Sequence, residues 1–103
     1  MYEFTHERLD CYRVALEVNQ WLKKQKFEPA DKDTKNQATR ASNSMLLNIA
    51  EGTSSRGNQR AFHLRKARAS AAEVCACLDT VNLPDAQEQQ QKLRRVGAML
   101  TKM

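Results

Sequence analysis

The chain has 103 residues, a formal net charge of +5 and a pI near 9.4. That length fits one domain, residues 1–103, with a modest core. Three Gly and two Pro exclude a turn-rich sheet protein, and 6% aromatic residues argue against a base-stacking platform.

The first helix is expected over residues 7–25. Leu9, Tyr12, Ala15, Leu16 and Leu22 recur at helical spacing, and Val14, Val18 and Trp21 widen the stripe. Pro29 disfavours a helical residue before it and marks the first break. The second helix opens near Asp31 or Asp33, either a fitting N-cap. It carries Ala38, Ala41, Met45, Leu46 and Ile49, and is expected to end with Gly52 as the residue just past its C-cap. The polar run Thr53-Ser54-Ser55-Arg56-Gly57-Asn58 offers capping residues. A third helix then extends to about Val81, with Leu64, Ala67, Ala71, Val74, Cys75, Leu78 and Val81 as its apolar stripe. Pro84 suits the first turn of a fourth helix, which carries Ala86, Leu93, Val96, Met99 and Leu100. The Gln-rich stretch Gln87–Gln91 reads as a solvated face. Four helices with short loops give an all-α, antiparallel up-down-up-down bundle. Its most central residues are expected to be Leu16, Met45, Leu78 and Leu100.

The third helix carries its charge at the wrong end. A helix N-terminus holds partial positive charge, so each cation there costs roughly 0.3–1 kcal/mol. Yet Arg56, Arg60, Arg65, Lys66 and Arg68 crowd its start, while Glu73 and Asp79 lie toward its end. The other three helices obey the dipole rule. A local violation among obedient elements points to function. A solvated face is the plainer reading of five cations; their opposition to the dipole favours an anionic ligand, phosphate backbone being the commonest. On the face opposite the core stripe lie Phe62, Ala69, Ala72 and Ala76. Alanine favours helix for its own sake, but a large ring among small residues favours a subunit contact.

Nothing in the sequence assembles an enzyme. His6 and His63 fall in different elements; His63 is either a phosphate contact or a plain helix-surface residue. Cys75 and Cys77 lack zinc-ligand spacing, and Gly52 and Gly57 match no phosphate-binding loop. No metal or cofactor is therefore expected. Glu51 and Glu73 are expected to hold basic neighbours in ion pairs, and Asn48 to make a hydrogen bond inside the bundle. Ser42, Ser44 and Ser70 read as small packing residues. No apolar run approaches the roughly 18 residues of a membrane span. The acidic opening Met1–Glu7 has no apolar stretch of a signal peptide. With three cysteines in no scaffold spacing, reduced thiols and a cytoplasmic location are expected.

The run Ser44-Met45-Leu46-Leu47-Asn48-Ile49-Ala50-Glu51-Gly52 resembles the hallmark "S-I-x-x-N-I-A-E-G" of the four-helix-bundle proteins encoded within intervening sequences of bacterial large-subunit ribosomal RNA genes. Arg40-Ala41 stands where that family has its "R-A" pair. The stretch from Arg60 to Glu73 resembles its "A-R-G-S-x-x-E" segment and the residues before it, with Ala69 in place of the usual Gly and Lys66 where an apolar residue is common. Leu9-Asp10-Cys11-Tyr12 resembles the opening "L-x-V/C-Y". The resemblance implies a bundle that assembles into a ring-shaped homo-oligomer, commonly a pentamer. It extends to the accessory proteins of diversity-generating retroelements, which share that ring and bind nucleic acid and a reverse transcriptase.

Two functions follow as expectations. The first is a non-enzymatic oligomer that binds structured RNA through the basic start of the third helix. The alternative is an oligomeric scaffold for a protein partner such as a reverse transcriptase.

Overall fold

A computed structural model describes residues 3–103. Among these are four α-helices, two short 3-10 turns and no strand. The turn Thr5–Arg8 leads into α1, Asp10–Lys24, and the turn Pro29–Asp31 leads into α2, Lys32–Thr53. α3 spans Gly57–Asp79 and α4 spans Ala86–Thr101. No helix among the described residues is long and apolar enough to cross a membrane.

Charge and backbone conformation set the helix ends. α1 has Asp10 in its first turn and Lys23 and Lys24 in its last, each on the favourable side of the dipole. Pro29 opens the 3-10 turn rather than α2 itself, and the N–H of Asp31 bonds Glu28 O at 2.8 Å. Pro84 falls two residues before α4, not within its first turn. The N-cap is Asp85, in the left-handed region at φ 65°, a conformation that Asp tolerates better than most residues.

α2 packs on α3, α3 on α4, α4 on α1 and α1 on α2. Among the described residues the diagonal pairs make no close backbone contact, so the four helices surround a single core. Small side chains fill much of it: Ala15, Ala38, Ala41, Ala67 and Ala71 sit among Val14, Val18, Leu22, Met45, Ile49, Leu64, Val74, Leu78, Leu93, Val96 and Leu100. An ion pair, Lys92 Nζ to Glu17 Oε1 at 3.2 Å, ties α4 to α1 across the surface. His6 packs edge-on against Tyr12, 4.7 Å between ring centroids, and holds the N-terminal turn on α1.

Three of the four expected central residues, Met45, Leu78 and Leu100, are buried. Leu16 is only half-buried. The buried line of α1 runs through Cys11, Val14, Ala15, Val18, Asn19 and Leu22, which takes in Val14, Ala15, Val18 and Leu22 of the expected stripe and leaves Leu9, Tyr12 and Leu16 half-buried at its edge. Leu46, Cys75, Val81 and Met99 flank the core, half-buried, while Cys77 enters it. The Gln stretch is also corrected. Gln89 and Gln90 are buried, because Gln90 Nε2 donates to Cys75 O at 3.0 Å and to Asp79 Oδ1 at 2.8 Å on α3. Gln89 Oε1 is buried with no hydrogen-bond partner among the described residues.

Candidate nucleic-acid interface

The α2–α3 corner is built from the motif residues. Gly52 is not the residue past the end of α2. It lies inside the helix, buried where α3 crosses closest. A Cβ there would stand 2.8 Å from Leu64 Cδ2 and 3.4 Å from His63 Cβ, so the glycine is required by proximity, not by backbone conformation.

The hydroxyls that follow cap backwards. Thr53 Oγ1 and Ser54 Oγ donate to Ala50 O, and Ser54 Oγ and Ser55 Oγ donate to Glu51 O, at 2.7–3.2 Å. Gly52 O accepts from the Ser55 N–H at 3.2 Å and from Arg60 Nη1 at 3.4 Å. Three of the last four carbonyls of α2, those of Ala50, Glu51 and Gly52, thus have partners, while among the described residues the N-cap of α3, Arg56, makes no side-chain cap bond. Gly57 begins α3 at φ 60°, the left-handed region open to glycine. Arg60 stands badly against the dipole of its own helix, but its guanidinium meets the negative C-terminal end of α2.

A polar chain links the two helices above this corner. Asn48 Nδ2 donates to Ser44 O at 2.8 Å and to Ser44 Oγ at 3.1 Å. Ser70 Oγ on α3 donates to the same Ser44 Oγ at 3.1 Å. His63 Nδ1 lies 2.9 Å from Asn48 Oδ1. On the other side of α2, Asn19 Nδ2 of α1 donates to Ser42 Oγ at 2.8 Å and to Asn43 Oδ1 at 3.0 Å. Asn48 therefore makes the expected bundle hydrogen bond, and the serines bond as well as pack. His63 is half-buried and tied to α2 rather than a plain surface residue.

Arg56, Arg65 and Lys66 are exposed, and Arg60 and Arg68 are half-buried. Arg60, Arg65 and Arg68 line one open groove of about 420 Å³ with Leu100 and Met103 at the α4 end. Lys66 instead lies over the ring of Phe62, Nζ 5.4 Å from its centroid. Among the described residues none of these five cations meets an acidic side chain within ion-pairing distance. The expected ion pairs of Glu51 and Glu73 are absent there too. The Glu51 side chain is exposed, and Glu73 accepts from Gln37 Nε2 at 3.3 Å; pairs on so exposed a face hold little energy. Arg40 is exposed as well.

Phe62, Ala69, Ala72 and Ala76 are all exposed on the outer face of α3. The structure divides them. Ala72 and Ala76 line a mostly apolar groove of about 340 Å³ with Cys75, Leu93 and Gly97, rimmed by Arg68 and Arg94. Phe62 sits among the cations. Cys11, Cys75 and Cys77 are free thiols. Burial pushes the Cys11 thiol above its ordinary 9.0; burial and then the charge of Glu73 do the same for Cys77.

The sequence revealed the cations but neither the buried glutamines nor the hydrogen-bonded histidine. An Asn and a His 15 residues apart, each near the junction of two helices, was the signal available for the latter.

No curated protein gives a significant match to the chain. A family model described as 23S rRNA-intervening sequence protein matches residues 7–102. That match takes in all four helices and the α2–α3 corner, and the chain belongs to the 23S rRNA-intervening sequence protein family.

Proposed function

We propose that this protein is a non-enzymatic RNA-binding module, an antiparallel up-down-up-down bundle that works as a homo-oligomer. One observation carries the reading: five cations gather at the start of α3 with no acidic partner among the described residues. Charges left unpaired on a surface are available to phosphate oxygens, which position an RNA without reading its sequence. The family's description, 23S rRNA-intervening sequence protein, supports an association with ribosomal RNA. In an oligomer each copy repeats the cluster, so weak contacts add through multivalency. The Ala72–Ala76 groove is the surface for the neighbouring copy, since small side chains let a helix approach closely.

Fluorescence anisotropy against a structured RNA across a salt series tests the binding. With about five phosphates engaged, log affinity falls with log salt at a slope near −3.5 to −4.5. Charge reversal by Arg65→Glu with Lys66→Glu should weaken binding to all RNA sequences about equally and leave the fold intact. Equal binding by the reversed protein would make the cluster a solvated face. The scaffold for a protein partner such as a reverse transcriptase would then be the better reading. Native mass measurement checks the assembly, which Ala72→Arg should disperse.

A further inference from the structure

Phe62 leaves 49% of its surface in water, within the most basic stretch of the chain. It is a held surface, not a loose one. The His63 ring stands against it, centroids 5.2 Å apart and planes at 72°. His63 is itself fixed by α2. Both amide hydrogens of Asn48 point to Ser44, so Asn48 Oδ1 can only accept, and His63 must donate from Nδ1.

Two occupants could cover the ring. A helix of a second copy would bury Phe62 together with its neighbours Arg65 and Lys66, and a buried cation without an acidic partner is strongly disfavoured. A nucleobase brings its own phosphates. It can stack on the ring while Arg65 and Lys66 stay at the wet edge as counter-charges. Lys66 now rests over the ring. A cation–π contact at an exposed site is weaker than base stacking, so an arriving base displaces the ammonium toward phosphate.

We infer that Phe62 is the stacking surface for one unpaired nucleobase per copy, flanked by Arg65 and Lys66 as phosphate contacts. The ligand class is RNA with at least one unstacked base, not uniform duplex. This rests on the RNA-binding reading above. One ring per copy is not a platform, so the low aromatic content is no obstacle: an oligomer supplies the repetition.

The test compares a labelled single-stranded RNA with a blunt RNA duplex of equal phosphate number, at one salt concentration. Phe62→Ala should weaken single-strand binding by roughly 5- to 100-fold. It should leave duplex affinity, the salt slope and the native mass unchanged. Phe62→Trp should keep the single-strand affinity, with its emission quenched on binding. Three results overturn the inference: equal single-strand affinity for Phe62→Ala, an equal loss on both RNAs, or a smaller assembly, which would make Phe62 a subunit contact. If Arg65→Glu with Lys66→Glu abolishes binding while Phe62→Ala does nothing, stacking fails and phosphate binding stands. If the unaltered protein binds neither RNA, both readings fall.

Discussion

Gly52→Ala puts a methyl group where Leu64 already stands. The new Cβ would lie 2.8 Å from Leu64 Cδ2 and 3.2 Å from Cγ. Leu64 is buried against the core on one side and borders the open groove on the other, so its side chain can yield only by giving up core contact. Either its rotamer is forced or α3 moves outward. Overpacking of this kind costs about 1–3 kcal/mol. Alanine in a helix gains up to about 1 kcal/mol over glycine. The single variant therefore falls between neutral and a loss of about 2 kcal/mol, each kcal/mol lowering Tm by roughly 4–8 °C in a domain of this size. A value near zero would decide nothing alone, so the informative assay is a double-mutant cycle. Leu64→Ala by itself should cost about 2–5 kcal/mol. In that background the obstructing atoms are gone, and Gly52→Ala should become neutral or mildly stabilising. Urea unfolding of the four proteins at one protein concentration should then give a coupling of about 1–3 kcal/mol. Additivity within about 0.5 kcal/mol would mean that Gly52 is not set by Leu64, and the account of the motif glycine would fail.

Other expectations follow from burial. Leu78→Ala should cost about 2–5 kcal/mol by the same urea titration; a loss under about 1 kcal/mol would place Leu78 outside the core. Gln89→Met should raise stability by about 1–3 kcal/mol, because it removes a buried carbonyl that no donor satisfies; a destabilised variant would show that Gln89 Oε1 has a partner. The raised thiol values of Cys11 and Cys77 mean that the folded chain holds protons which the unfolded chain releases above the ordinary 9.0. That contribution is complete below the unfolded value and disappears as pH climbs through the folded ones. The urea midpoint should fall as pH rises past the ordinary 9.0, and less steeply in Cys11→Ala with Cys77→Ala.

Helix number, order and breaks were legible in the sequence because Pro29, Pro84 and the apolar periodicity around Met45, Leu78 and Leu100 leave few alternatives. The α1 stripe was legible in part: Val14, Ala15, Val18 and Leu22 are buried as their spacing suggests, but Leu9, Tyr12 and Leu16 are only half-buried, and nothing apolar marks the burial of Asn19, whose amide bonds Ser42. Gln90 escapes notice for a related reason, since no apolar signal marks a glutamine whose burial is supported by hydrogen bonds to another helix; Gln89 is buried beside it without a bond of that kind among the described residues. The Thr53–Ser55 hydroxyls can cap forward onto α3 or backward onto α2, and the residue types are the same in both cases. The direction, backward onto Ala50 O and Glu51 O, is visible only in three dimensions. At the candidate site the cations were visible as a charge pattern. The division of Phe62 from Ala72 and Ala76 depends on where α4 lies.

Ser42 and Ser44 sit two positions apart on one helix, yet one is claimed by Asn19 of α1 and the other by Ser70 of α3. Alanine and valine surfaces are smooth, and helices lined with them can slide by a turn while keeping much of their apolar contact. Sliding α2 against α1 would strand the Asn19 amide and the Ser42 hydroxyl, and sliding it against α3 would strand the Ser70 hydroxyl, at about 1–3 kcal/mol for each unpaired group. The two serines thus behave as dowels that select one alignment of three helices. Alignment is held by Asn19 and Ser70 on the two serines, while the apolar positions supply the burial.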